Sequence, residues 1–245
     1  MPEGPSIIIL REQAAGFAGK VIRRAEGNAK VDMPRLQGRR VEALRSFGKQ
    51  FLIDLGSFSA RIHLLMFGSY RIDERKDSAP RLSLGFDHGE LNFYSCSVRL
   101  IERQLADIYD WRADVMSDEW DPALARKKLR TKPDTLVCDA LLDQEVFAGV
   151  GNIIKNEVLY RVRVHPLSTV GALPPRKLRQ LVEQARVYAF EFLAWKKALE
   201  LRKQWLVHNR TLCPRHDIPP ERAHLGKTHR RSFYCELCQK RYGSA

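Results

Sequence analysis

Four side chains near the end of the chain are spaced to hold a metal ion. Cys213-Pro-Arg-His216 and Cys235-Glu-Leu-Cys238 each leave two residues between donors, and eighteen residues, 217–234, lie between the pairs. Such a pair lets one turn present two donors to a tetrahedral ion, and the intervening length suits a hairpin. Three thiolates and one imidazole complete the shell of one structural Zn²⁺ and leave no position for water or substrate. His208, His224 and His229 are alternative nitrogen donors, but none has the knuckle spacing. Cys96 and Cys138 stand alone, so the five cysteines do not form a disulfide framework. A reducing compartment is expected.

The other chemistry lies at the start, Met1-Pro2-Glu3-Gly4-Pro5. Methionine is normally trimmed before a small residue such as proline, which would leave Pro2 with a free secondary amine. An α-amino group titrates near ~7.7–8.0, so much of it is unprotonated at neutral pH. Such an amine attacks an aldehyde-like carbon to form an iminium. Glu3 beside it is placed to shuttle protons.

The partner class follows from charge. Lys and Arg number 42 against 29 Asp and Glu in 245 residues, a formal net charge of +13. A polyanion is the usual reason to hold that much repelling charge together. From residue 201 to 245 there are ten basic residues and three acidic ones, so the metal module carries over half of the excess. Hydrophobic residues make up 44%, enough for a packed core. No apolar run approaches a membrane span, and no signal peptide is recognisable at the start. A cytoplasmic location, with no membrane partner, is expected.

The elements that must position these groups change character along the chain. Residues 6–17 read as a helix with Ser6 as N-cap and Ile9, Leu10, Gln13, Ala14 and Phe17 on one face. Short runs at 20–24, 39–45, 50–55, 59–65, 69–73, 81–86 and 90–94 read as strands joined by tight turns, among them Ser46-Phe47-Gly48-Lys49 and Asp87-His88-Gly89. After Trp120 the pattern is helical. Pro122 opens a basic helix, Asp134 is expected to cap a helix over 135–142, and Gly149-Val150-Gly151-Asn152 breaks the pattern before a helix over 153–160. Pro174-Pro175 opens a long amphipathic helix. The expected fold is α+β and multidomain: an N-terminal antiparallel β-sandwich with an N-terminal helix (1–115), a helical domain (116–204) and a zinc-finger hairpin (205–245).

The Pro2-Glu3-Gly4-Pro5 start, the hairpin lysine of Gly48-Lys49, the Gly149–Asn152 break and the terminal zinc hairpin occur in this order. Together they resemble the formamidopyrimidine-DNA glycosylase and endonuclease VIII family of base-excision repair enzymes, over the whole chain. The resemblance implies a helix–two-turn–helix domain and a bifunctional glycosylase and AP lyase acting on damaged DNA, duplex or single-stranded. It implies that Pro2 attacks C1′ of the damaged nucleotide, that Glu3 moves protons at the sugar, and that Lys49 touches a phosphate beside the lesion. Asn152 and Arg230, with Arg231 as the adjacent alternative, would grip the phosphate backbone. Met66, flanked by Leu65 and Phe67, would fill the gap left by the extruded base; the alternative is that Leu65 and Phe67 are strand core. A monomer working in a bacterial cytoplasm, associated with the nucleoid through DNA, is expected. Two departures stand out: Ser6 occupies the place of a second family glutamate, and His216 that of a cysteine. A non-catalytic zinc-finger DNA-binding protein on the same scaffold is the alternative reading, which Ser6 favours and the Pro2, Glu3 and Lys49 set opposes.

Overall fold

The computed structural model describes residues 2–243 and divides the chain into two compact units at Asp110/Trp111. The first unit opens with helix α1 (Gly4–Gln13), followed by a 3₁₀ turn, Ala15–Phe17. Pro5 lies in the first turn, where its missing N–H costs nothing. The helix therefore starts earlier than expected: Glu3 holds the N-cap position and Ser6 lies inside the helix. Ile7, Leu10, Ala14 and Phe17, three or four residues apart, enter the core, whereas Gln13 of the expected face is exposed.

Six antiparallel strands follow: β1 (Arg24–Glu26), β2 (Ala43–Phe47), β3 (Gln50–Asp54), β4 (Ser59–Ile72), β5 (Leu82–Gly85) and β6 (Glu90–Ile101). They form one continuously hydrogen-bonded sheet in the order β1-β5-β6-β4-β3-β2. Two separately expected runs merge into β4, and the last run extends to Ile101. Residues 20–23 form no strand of their own; Val21 bridges Arg40, and Arg23 N donates to Gly85 O at 2.8 Å.

The sheet folds back on itself. Phe51 faces Ile62, and Ile62 faces Val98, so Phe51 and Phe93 are two strands and five residues apart. In a flat sheet that is about 19 Å between Cα atoms. Their ring centroids are 5.9 Å apart, so the two halves face each other across a shared apolar core. The fold occurs where β4 and β6 lose register. Leu64 pairs with Cys96 and Ser69 with Tyr94, so residues 65–68 oppose Ser95 alone. Gly68 is obligatory in this bulge: a Cβ there would lie 2.7 Å from the Leu65 backbone nitrogen.

The second unit contains α2 (Pro122–Arg130), α3 (Val137–Ala140), α4 (Asn152–Val162), α5 (Pro175–Lys197) and the hairpin β7 (Glu221–Leu225) with β8 (Arg230–Tyr234). Asp121 caps α2, its Oδ1 accepting from the Ala123 and Leu124 amides at 2.8 and 3.0 Å. Asp134 does not cap α3. Leu136 instead bridges Thr169, with Val170 N donating to Thr135 O at 2.9 Å and Val137 N to Ser168 O at 2.9 Å. Those tertiary bonds delay α3 to Val137. Two turns link α3 to α4. α5 buries Leu178, Leu181, Val182, Ala185, Tyr188, Ala189 and Phe192 along one stripe. Among the described residues, no helix is long and apolar enough to cross a membrane.

Candidate active site and metal centre

In the first unit, the Pro2-Glu3 start is built into the root of α1. Pro2 is half-buried and Glu3 fully buried, with the Glu3 carbonyl accepting from Ser6 N at 2.8 Å. The Ser6 hydroxyl, at the third helical position, is buried and has no hydrogen-bond partner among the described residues. Helix α1 packs on β2 and β3, and Arg11 reaches Ser46 Oγ at 3.2 Å. β2 and β3 are closed by the two-residue turn Gly48-Lys49. Three contacts brace that turn: Phe47 stacks on Tyr109 at 4.6 Å, the Tyr109 hydroxyl donates to Gln50 Oε1 at 2.6 Å, and His63 Nδ1 donates to Lys49 O at 3.2 Å. Burial pushes the His63 pKa down, so a neutral imidazole makes this bond at pH 7. Lys49 is thus carried on a short, fixed tip.

The bulge in β4 decides the fate of Leu65, Met66 and Phe67. A regular strand would turn alternate residues inward. Instead the three are 48%, 52% and 85% exposed in succession. Leu65 and Phe67 are therefore not core residues.

In the second unit, the first turn of α4 is bound to β8. Asn152 Nδ2 donates to Arg231 O at 2.9 Å, and Lys155 Nζ to Ser232 Oγ at 2.8 Å. The Asn152 Oδ1 atom is buried with no partner among the described residues. Gly149, just before α4, takes φ +98°, whereas Gly151 is in ordinary extended backbone. Arg230 is half-buried and Arg231 exposed on β8.

The four expected metal donors converge. Cys213, His216, Cys235 and Cys238 hold their donor atoms within 4.8 Å of one another. His216 Nδ1 lies 3.2, 3.7 and 3.9 Å from the sulfurs of Cys238, Cys235 and Cys213, and Cys213 Sγ is 3.6 Å from Cys238 Sγ. Tetrahedral Zn²⁺ bonded to sulfur at ~2.3 Å and nitrogen at ~2.05 Å requires edges of about 3.5–3.8 Å. The donor set fits that ion. His208, His224 and His229 are not in the cluster. The Tyr160 hydroxyl, 3.1 Å from Cys213 Sγ, is kept protonated by burial and can donate its proton to that sulfur.

Two carboxylates that sequence reading missed fix the module in place. Glu157, fully buried on α4, accepts from the amides of Leu206, Val207 and His208 at 2.9, 2.9 and 2.7 Å. Asp139 on α3 accepts from Lys227 N at 2.8 Å, Thr228 N at 3.1 Å and Thr228 Oγ1 at 2.9 Å, which ties down the tip of the β7–β8 hairpin. Gly226 makes this approach feasible: it takes φ +71°, and a Cβ there would meet the Asp139 carboxylate. No local motif marks either residue, because each acts on backbone tens of residues away.

The geometry agrees with known proteins. The formamidopyrimidine-DNA glycosylase N-terminal domain profile matches residues 1–102, and the formamidopyrimidine-DNA glycosylase H2TH domain profile matches 113–200. Endonuclease 8 2 of Mycobacterium bovis is 32% identical over 205 residues, covering 76% of this chain and 77% of that protein. The chain belongs to the formamidopyrimidine-DNA glycosylase and endonuclease VIII family. Endonuclease 8-like 3 of Mus musculus is 30% identical over 206 residues, 80% of this chain; the aligned part is 34% of that longer protein. The chain thus spans about a third of the length of the vertebrate relatives of that type. The fold is shared with the Lactococcus lactis formamidopyrimidine-DNA glycosylase, solved non-covalently bound to DNA containing an AP site. The TM-score is 0.86 at 21% identity, over 98% of this chain and 100% of that one. The H2TH domain match covers α2 to α5, and the β7–β8 hairpin with its four donors follows it in the chain.

Proposed function

We propose that this family member is a bifunctional DNA glycosylase and AP lyase acting on oxidised bases, organised as a catalytic β domain (1–115), a helix–two-turn–helix domain (116–204) and a zinc finger (205–245). The observation that carries the reading is Glu3: a carboxylate fully buried next to Pro2, at the root of a helix packed on the hairpin that bears Lys49.

With Met1 removed, the Pro2 nitrogen attacks C1′ and the damaged base leaves with its bonding electrons, taking up a proton. Glu3 protonates O4′ as the sugar ring opens to the C1′ iminium. Loss of a C2′ proton then expels the 3′-phosphate by β-elimination, and a second proton loss expels the 5′-phosphate by δ-elimination. Lys49 is a point charge for the phosphate beside the lesion. Asn152, Arg230 and Arg231 hold the backbone, and Met66, with Leu65 and Phe67, occupies the space of the extruded base. Filling that space offsets an unstacking cost of a few kcal/mol. One structural Zn²⁺, held by Cys213, His216, Cys235 and Cys238, keeps the hairpin rigid. The enzyme acts as a monomer on damaged DNA in the cytoplasm.

Borohydride trapping on DNA with an abasic site tests the reading. Wild type is expected to form a covalent adduct. Pro2→Gly and a form extended at the N-terminus are expected to trap poorly. Full-rate trapping by the extended form would remove Pro2 from its role, and no trapping by wild type would favour the non-catalytic DNA-binding alternative.

A further inference from the structure

The end of α4 opposite Asn152 carries a second concentration of positive charge. α4 is eleven residues long, so its two ends are about 16 Å apart. At the C-terminal end a cleft of about 650 Å³ is lined by Arg161, Arg163, Lys177 and Arg215, with the amides of Gln180 and Gln184 on the α5 side. Glu183 is the one acidic residue on its wall.

Part of this charge serves the fold. Lys177 Nζ donates to Val162 O at 2.6 Å and Arg215 to Tyr160 O at 3.4 Å, so both satisfy carbonyls at the end of α4. Arg161 pairs with Glu191 and lies over the Tyr188 ring, although its Nε is buried without a partner among the described residues. Helix capping does not account for Arg163. It ends α4 in the left-handed region at φ +57°, where glycine or asparagine is the cheap choice. Its guanidinium is exposed and makes no ion pair among the described residues. Lys177 senses the surplus: burial, then the charges of Arg163 and Arg176, push its pKa down. Arg176 and Arg179, both exposed, continue the charge along the first turns of α5. Cations about one helical turn apart beside an open cleft match successive phosphates of an extended strand better than one enclosed anion.

We propose that this cleft binds the phosphate backbone of a second nucleic-acid segment, separate from the one gripped at Asn152. It would let the protein hold one strand while working on another. The inference needs only the charge of this cleft, so it stands or falls apart from the Pro2 chemistry.

The test uses the full zinc-loaded chain, saturated with a short duplex carrying a tetrahydrofuran abasic analogue and then titrated with a labelled twelve-nucleotide thymidine strand. A second binding event is expected. Four phosphate contacts at ~0.7 each give a log–log salt slope near −3. The double variant Arg163→Gly, Lys177→Gln should weaken it about 10-fold and flatten the slope by roughly 1.4. Duplex binding and borohydride trapping should stay within about 2-fold, and Arg163→Lys should restore the second site. Absence of a second event would overturn the proposal. So would equal loss at both sites, or insensitivity to the double variant. Displacement of the strand by millimolar pyrophosphate would assign the cleft to a free polyphosphate and overturn the nucleic-acid assignment.

Discussion

Asp139→Ala sets two electrostatic effects against each other. The carboxylate accepts three hydrogen bonds from the hairpin turn that precedes Arg230. At about 0.5–1.5 kcal/mol net each, their loss loosens the tip by roughly 2–3 kcal/mol. The same substitution removes a negative charge from a surface expected to face phosphates. At ~8 Å in water, one such charge repels a phosphate by about 0.5 kcal/mol, and less once screened by salt. Charge alone therefore predicts slightly tighter binding, whereas loss of the ordered tip predicts weaker binding through the reduced fraction of competent protein. The ordering term is larger, so affinity for abasic duplex should fall about 10-fold, with zinc content unchanged. Asp139→Asn keeps the Oδ1 acceptor for Thr228 but turns an amide donor toward Lys227 N, so its affinity should fall between wild type and Asp139→Ala. Fluorescence anisotropy across a salt series, with zinc quantified on the same samples, reads all of this. Unchanged or tighter binding by Asp139→Ala would refute the clamp, as would loss of zinc.

Cys238→Ala, or chelation, should release the ion, raise amide exchange across 213–240 and weaken DNA binding while residues 2–110 stay folded; finding no zinc in purified wild type would defeat the assignment. Ser6→Glu would place a carboxylate in the buried pocket of the unpartnered Ser6 hydroxyl, near Glu3. It should raise the ratio of base excision to abasic cleavage, and an unchanged ratio would mean that Ser6 has no part in specificity. In the β unit, hydrogen bonding and charge from Arg75 hold the Glu90 carboxyl down to about 2, below its ordinary 4.5. A depressed carboxyl contributes stability above 4.5 that is lost as pH falls toward 2. Glu90→Gln should therefore cost about 1 kcal/mol at pH 7 and much less at pH 3, by denaturant melts of the two proteins.

What the sequence disclosed depended on how far each group acts along the chain. The metal set was legible because each knuckle holds its two donors within four consecutive residues, and the four then met as expected. α5 was legible because its apolar stripe repeats over six turns of helix. Ser6 and Asp134 misled because both are good cap residues by type. Pro5 moved the start of α1 to Gly4, and the bridge of Leu136 to Thr169 displaced the start of α3. The separation of Asp139 from Thr228 is 89 residues, and Glu157 reaches His208 across 51. Such pairs have no periodicity to betray them. The bulge was hidden because period-two alternation describes a strand in register, and only Gly68 hinted that register breaks there.

That bulge has a consequence for how the protein can change. The same four residues that let the sheet fold back also push Leu65, Met66 and Phe67 outward. Adding or removing one residue in 65–68 would slide Ser69–Ile72 against Leu91–Tyr94 and turn Tyr70 and Ile72 away from the core. The reach of the apolar wedge is therefore coupled to the register of the sheet, unlike a surface loop that can lengthen freely. Variation here is confined to the identity of the three side chains. A designer seeking a different exposed apolar surface here should exchange residues at 65–67 and leave their number, and Gly68, alone.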